Sequence, residues 1–429
     1  MRVHFIGIGG IGLSGLARFL KAQGHRVTGS DLKESPLIGE LRREGIPVAT
    51  PHAPEVIDRF KPEKVVYTAV VKPENPELVR ARELGIETLS RREFLKYIVS
   101  NREVIAVCGA HGKSTTTAIL TALLPEANGL IGAISNQFNS NCRYTGSKLL
   151  IFEADESDGS FVNSNPHLAI VTNSEPEHME FYNYDYNLFF DHYRQFLEGA
   201  KIRIVNRRDR LAELPLPMER IDLEEATDIR FELREGKPVT LFNYRGYQFQ
   251  VAGFGEHLVL DGLLAIKGAE KYRPLTELAE NIKNYRGIQK RFEIVSDDRE
   301  LVIIDDYGHH PTEIRETLKG VFKFAELRGL KPVIGVWQPH KFSRTINNLD
   351  RFVEAFEGVK QLIILPIWSA GETPRPVDLQ TPFRRYNPIF VDRVHRIGSK
   401  LRAGEKLIEK GVVIGFGAGD ITYQLRGLG

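Results

Sequence analysis

Glu103-Val-Ile-Ala-Val-Cys108-Gly109-Ala-His-Gly112-Lys113-Ser114, continued by a helix-like run from Thr115 to Leu124, is the stretch on which the fold turns. A short β-branched run ends in glycines, then a lysine, a hydroxyl and a helix follow in the order a phosphate loop requires. Glycines let backbone N–H groups curl around phosphate oxygens, and the helix N-terminus adds partial positive charge. Lys113 is placed to reach the β- and γ-phosphates and Ser114 to complete a Mg²⁺ shell. Position 107 is valine, so the loop is shorter than the six-residue form. The bland alternative is a glycine turn carrying an exposed lysine; the full ordered set favours a nucleotide.

Two further strand patterns, Lys148 to Phe152 and Leu168 to Thr172, also end in polar clusters. The first cluster, Glu153-Ala-Asp-Glu-Ser-Asp158, places four carboxylates in six residues, which repel unless cations or solvent compensate. It reads either as a solvated acidic turn or as a metal site. The second, Asn173 to Met179, offers Glu175, Glu177 and His178. Ligands of open α/β sheets gather beyond the carboxyl ends of the strands, so three such clusters predict one shared site. Beside phosphates, Glu153 and His178 become candidates for a second divalent ion.

Outward from this centre the chain divides into three α/β segments, each alternating strand and helix patterns, as parallel doubly wound sheets do. The first, Met1 to Phe94, opens with a strand from Arg2 to Ile8 broken by Gly7, Gly9, Gly10 and Gly12. Leu13, Leu16, Ala17 and Leu20 then fall at helical spacing, His25 to Asp31 gives a strand, and Lys64 to Val71 another. This Rossmann-like segment carries Gly-x-Gly-x-x-Gly, a pattern that fits a nicotinamide dinucleotide or the diphosphate of another nucleotide. The central segment, Leu95 to Tyr285, is the phosphate-loop domain with a mostly parallel sheet. The third, Arg286 to Gly429, is again Rossmann-like, with Leu301 to Ile304, Lys331 to Trp337, Leu362 to Leu365 and Val412 to Phe416 as strands. Asp305-Asp306 can be read as capping the helix that begins at Pro311-Thr-Glu.

Composition sets the class. The 429 residues exceed one ordinary core, and 42% hydrophobic with 27% charged residues is globular. A net charge of +2 carries no nucleic-acid or membrane signature. Cys108 and Cys142 cannot build a disulfide framework and suit a reducing compartment. With no signal peptide and no membrane-length span, the expectation is a cytoplasmic protein, a monomer or weak homodimer.

Taken together and in order, these motifs resemble the Mur ligase family, in particular its alanine-adding branch. Gly7-Ile-Gly-Gly-Ile-Gly-Leu-Ser-Gly15 is similar to its UDP-binding loop, and Gly109-Ala-His-Gly-Lys-Ser-Thr115 to its ATP loop. Glu153-Ala-Asp-Glu-Ser-Asp158 with His178-Met179 resembles its metal-binding strand ends. Asp305-Asp-Tyr-Gly-His-His-Pro-Thr-Glu313 and Gln338-Pro-His340, with Arg344, resemble its C-terminal signatures. The resemblance implies ATP, two Mg²⁺ ions, UDP-N-acetylmuramate and L-alanine. The lactyl carboxylate would attack the γ-phosphate, and the alanine amine would then displace phosphate from the acyl phosphate.

By the same resemblance, Gly109, Ala110, His111, Gly112, Lys113, Ser114, Thr115, Asp261, Arg291 and Asp306 belong to ATP. Gly9, Gly10 and Gly12 belong to the UDP diphosphate, with Asp31 unassigned. Ser114 and Glu153 hold one ion, Glu153 with His178 the other. Tyr307 and His309 lie near the muramyl group and amino acid, His340 and Arg344 near the alanine carboxylate. Lys113, His178 and His309 are the expected catalytic residues, His309 as a base for the amine. Since the phosphate groups and the amino-acid groups fall in different segments, a hinge near Lys283 to Gly287 is expected.

The sequence departs from the family where His-Asn-x-x-Asn usually meets adenine: here stands His257-Leu-Val-Leu-Asp261. Lys341 replaces a common arginine, and the stretch between the ATP loop and Glu153 is short. Three alternatives stand beside the alanine ligase: a recycling ligase that attaches a tripeptide to the same UDP-sugar, a nicotinamide-dependent dehydrogenase, and a nucleotide-binding regulator.

Overall fold

A computed structural model describes residues 1–428, which form two compact units. The first comprises Met1–Thr227, Tyr244–Phe249 and Leu260–Arg286, the second Asp228–Asn243, Gln250–Val259 and Gly287–Gly429. No helix among the described residues is long and apolar enough to cross a membrane.

The first unit holds two sheets. One is five-stranded and parallel, in the order Val48–Ala49, Arg26–Ser30, Arg2–Ile6, Lys64–Tyr67, Glu87–Ser90. The other is seven-stranded, in the order Glu219–Ile221, Ile202–Asn206, Leu168–Val171, Glu103–Cys108, Leu149–Glu153, Asn128–Ser135, Ser140–Arg143. Only its last pair is antiparallel. The three strands that end in polar clusters are therefore immediate parallel neighbours, as expected. Their apolar faces are fully covered, with Val104 to Cys108 and Leu168 to Val171 at zero exposure.

One buried cluster runs through both sheets, from Val3, Phe5 and Leu16 to Leu130, Phe161 and Tyr193. The helix Ile11–Ala22 packs on the strands at the edge of the seven-stranded sheet. Asn141 on that edge is fully buried and satisfied: it donates to Ile11 O (2.6 Å) and Ser14 Oγ (3.0 Å) and accepts from Arg18 Nη1 (2.6 Å). That network fixes the helix whose first turn carries Gly12.

The second unit is built on a six-stranded sheet, in the order Glu293–Asp297, Leu301–Asp306, Gly411–Phe416, Val333–Trp337, Gln361–Ile364, Ile389–Phe390. Its first pair is antiparallel and the rest parallel. Trp337 at its centre packs against Phe352, Phe356 and Phe383.

Three expectations are corrected. The strand expected over Lys64 to Val71 ends at Tyr67, because Val71 N turns back to Thr68 O (3.0 Å). The strand expected from Lys331 begins at Val333, after the Lys331-Pro332 bond. Asp305 and Asp306 do not cap the helix Pro311–Arg328; they end the buried strand, and His310 is the residue before the helix. Glu313 closes that helix start by accepting from the amides of His309 and His310.

Asn141→Ala should cost about 2–3 kcal/mol, since it strips partners from a buried arginine and two helix oxygens. A lowered urea midpoint for the first unit, with unit 2 unaffected, is the expected readout.

Candidate active site

The phosphate loop is shaped by the neighbouring strand end. Ala110 N donates to Asn173 O (3.1 Å) and His111 N to Asn173 Oδ1 (3.2 Å). Thr172 Oγ1 (2.5 Å) and Asn173 Nδ2 (2.8 Å) both donate to His111 O. Gly109 has φ +137°, and a Cβ there would lie 2.2 Å from Thr172 Oγ1. Gly112 has φ +83°, and a Cβ there would lie 2.4 Å from Asp261 Oδ1, so Asp261 packs directly on the loop. The helix Lys113–Leu123 starts at this point, and its first amides have no carbonyl one turn back to accept them. Sequence reasoning missed Thr172 and Asn173; their only signal was their position at the end of the adjacent strand pattern.

Lys113 is mostly buried and donates to Gly109 O (2.5 Å), Ala110 O (3.1 Å) and Glu156 Oε1 (3.2 Å), with Glu156 Oε2 at ion-pair distance (2.9 Å). Ser114 Oγ donates to Glu153 Oε1 (2.9 Å), whose other oxygen accepts from Gly132 N (2.5 Å). Desolvation opposes charge on Lys113, and Glu156, Asp155 and Glu153 overcome it, holding the ammonium charged. The same desolvation pushes Glu153 up and lifts Glu156 to about 7 against the pull of Lys113. For Asp155 desolvation is outweighed by Arg91 and then Lys113, and its carboxyl is held at about 2. Two cations, Lys113 and Arg91, face four carboxylates, Glu153, Asp155, Glu156 and Asp158, beside a serine hydroxyl. That donor set, carboxylate and hydroxyl oxygens, fits a hard divalent cation such as Mg²⁺. Ser114 and Glu153 are in direct contact; His178 stands in the loop after Leu168–Val171 at φ +54°, with Glu177 at 3.9 Å.

The first glycine loop borders a cleft of about 570 Å³, lined among others by Gly10, Gly12, Asp31, His52 and Arg91. Such a volume suits a nucleotide-sized ligand. Gly9 N is taken by Asp31 Oδ2 (2.8 Å) and Gly10 N by Gly7 O (3.2 Å), so Asp31 orders the loop. Gly12 sits in the first turn of the helix, where amides stay available to an anion.

The remaining expected residues gather on the second unit, Asp306 to His309 and His340 to Arg344 at or just after the carboxyl ends of the two parallel strands that flank Gly411–Phe416, and Arg291 preceding Glu293–Asp297. Asp306 accepts from Phe292 N (2.8 Å) and Gly308 N (2.7 Å), and burial lifts it to about 6 against the pull of Arg291. Arg291 pairs with Glu313 (2.9 Å) and stands over the Tyr307 ring at 5.6 Å. Tyr307 meets His309, and His309 meets His340, with ring centroids 5.2 and 5.4 Å apart. Arg344 Nη1 lies 2.9 Å from His340 Nδ1. Burial, then His309 and Arg344, lower His340 to about 3, so it is neutral and accepts from the guanidinium. His257 is likewise neutral, lowered by burial to about 4.

A phosphate loop with an acidic partner strand, a separate nucleotide-sized cleft, and an arginine–histidine cluster on a second α/β unit define a nucleotide-dependent enzyme handling several anions. Residues 2–103 match the Mur ligase family catalytic domain, 107–267 the Mur ligase middle domain and 290–419 the Mur ligase glutamate ligase domain. The chain belongs to the Mur ligase family. It is 48% identical to the UDP-N-acetylmuramate–L-alanine ligase of Campylobacter curvus, covering 99% of each chain. Identity to the enzyme of that name from Helicobacter pylori is 44%, over 99% of this chain and 96% of the other. The crystal structure of UDP-N-acetylmuramate-alanine ligase from Thermotoga maritima superposes with a TM-score of 0.83 at 24% identity, covering 100% of this chain and 98% of that one. The three-domain α/β architecture follows, and the dehydrogenase reading of the first glycine loop falls.

Gly112→Ala should weaken nucleotide binding at least about tenfold, because a side chain at positive φ is strained and meets Asp261; calorimetric titration with ADP checks it. Asp306 supplies a pH test. Its folded value near 6 lies above the ordinary carboxylate value, so its stabilisation is complete below the ordinary value and lost as pH rises through about 6. Asp306→Asn should flatten the pH dependence of unit 2 melting between pH 4 and 7, by up to about 3 kcal/mol.

Proposed function

We propose that the chain joins L-alanine to the lactyl carboxylate of UDP-N-acetylmuramate at the expense of ATP, giving ADP and phosphate, in peptidoglycan synthesis. The observation that carries this reading is the full-length likeness to ligases of that name, on a site whose phosphate loop is paired with an acidic strand end.

A carboxylate is a poor acylating agent, and both it and ATP are anionic, so the site must first cancel repulsion. Lys113, kept charged by its carboxylate neighbours, transfers its contact to the γ-phosphate, while the amides from Gly112 to Thr115 receive the phosphate oxygens. Gly109, Ala110, His111 and Asp261 shape this cradle; Arg291 and Asp306, on the second unit, are the further nucleotide contacts that the family likeness assigns. Ser114, Glu153 and His178 would hold Mg²⁺, as two ions, and the metal would supply charge neutralisation for phosphoryl transfer. The lactyl oxygen bonds to the γ-phosphorus as the bond to the β-phosphate oxygen breaks, leaving ADP and an acyl phosphate. The alanine amine then attacks the acyl carbon, loses a proton to His309, and phosphate departs. Arg344 takes the alanine carboxylate as a charged fork, oriented by the neutral His340, with Tyr307 alongside. Gly9, Gly10 and Gly12 shape the diphosphate cleft. The groups are shared between two units, so the reaction calls for closure about Lys283 to Gly287. The proposed setting is cytoplasmic, the working form a monomer or weak homodimer.

The test mixes protein, ATP, Mg²⁺ and UDP-N-acetylmuramate with either L-alanine or the L-alanyl tripeptide, following phosphate and product mass. Phosphate release with a one-alanine mass gain, in the alanine tube alone, is expected, and Lys113→Ala should lose at least about 10³-fold in rate. Turnover with the tripeptide alone would move the protein to the recycling branch; no turnover with either would overturn the reading.

A further inference from the structure

Arg91 is the first residue of the helix Arg91–Val99, at the carboxyl end of the last strand of the five-stranded sheet. A capping box between Ser90 and Glu93 fixes that start. The side chain is four-fifths buried and lies between two places that matter. On one side it lines the glycine-loop cleft, with Nη1 2.9 Å from where a Cβ on Gly12 would stand. On the other, Nη2 donates to Asp155 Oδ2 (3.3 Å), Asp158 Oδ2 (2.9 Å) and Ser160 Oγ (3.2 Å).

The acidic turn is built to receive it. Asp155 Oδ1 accepts from Ser157 N (3.1 Å) and Asp158 Oδ1 from Ser160 N (3.0 Å), so each aspartate spends one oxygen on the turn and the other on Arg91. Between them stands Glu156, whose carboxylate holds Lys113 and whose carbonyl accepts from Tyr182 Oη (2.6 Å). An unbroken run of contacts thus leads from the cleft through Arg91 and the turn to the phosphate-loop lysine.

We propose that Arg91 is a bridge between the two ligand sites: its Nη1 edge binds the diphosphate of the nucleotide sugar while its Nη2 edge holds the turn that positions Lys113. This rests on the nucleotide-sugar reading of the cleft. A planar guanidinium presents donors on two edges at once and can serve phosphate and carboxylates together; an ammonium offers one point charge and cannot span them. Filling the cleft then fixes the turn, and by linkage each ligand raises the affinity of the other by the same factor. Arg91 is a positioning residue for the phosphoryl transfer and a binding residue for the sugar nucleotide.

The experiment measures by calorimetry the affinity for UDP-N-acetylmuramate alone, and for a non-hydrolysable ATP analogue with Mg²⁺, with and without the UDP-sugar. Wild type, Arg91→Lys and Asp158→Asn are compared, each checked for folding by circular dichroism. Wild type should bind the analogue more tightly when the UDP-sugar is present. Arg91→Lys should lose about tenfold in UDP-sugar affinity, the value of one charge-assisted contact, and most of the coupling. Asp158→Asn should keep UDP-sugar affinity and lose coupling. Wild type that makes product while Arg91→Lys binds and couples as before would overturn the bridge and leave the function standing. Absence of coupling in wild type would overturn it equally. Wild type that neither binds UDP-sugar nor makes product would overturn the functional reading, and the bridge with it.

Discussion

The first unit depends on one electrostatic constraint: a single ammonium, Lys113, has to serve the carboxylates of Glu153, Asp155 and Glu156 at the end of a fully covered parallel sheet. Taking several carboxylates out of water is costly unless cations and hydrogen bonds answer them. Arg91 answers Asp155 and Asp158, the amide of Gly132 answers Glu153, and Lys113 answers Glu156. What stays unanswered is a net negative charge next to a serine hydroxyl and a helix N-terminus. A divalent cation is the kind of ligand that would answer that imbalance.

Backbone geometry around this charge is fixed by the neighbouring strand rather than by the loop itself. Thr172 and Asn173 hold the carbonyl of His111, and Asp261 presses on Gly112 from a helix far along the chain. The loop is held from two sides by elements with no slack, as preorganised anion sites require. The departure at Asp261 gains a role here: whatever it offers to adenine, its carboxylate is already part of the loop's wall.

The second unit handles anions differently. Burial keeps His340 neutral and leaves the charge to Arg344, while Asp306 is spent on the amides of Phe292 and Gly308 rather than on a helix cap. One guanidinium with a neutral acceptor behind it is a donor arrangement suited to a carboxylate. The acidic strand end beside the phosphate loop lies on one unit and the arginine–histidine pair on the other.

The sequence by itself determined the alternation of strands and helices, the phosphate loop, the acidic strand end and the C-terminal signatures, because these are local: each needs only residue types at short spacing. Strand ends were misjudged where a turn or a proline decided them, as at Thr68 to Val71 and Lys331-Pro332. The tertiary structure decided the rest. That the Glu103–Cys108, Leu149–Glu153 and Leu168–Val171 strands lie side by side is a matter of sheet order, which no local pattern encodes. Thr172, Asn173 and Arg91 acquire their roles only through contacts across 60 residues or more. Asp31, unassigned from the sequence, proves to hold the amide of Gly9. A hydrogen bond is settled by distance and direction, and those exist only once the chain has folded.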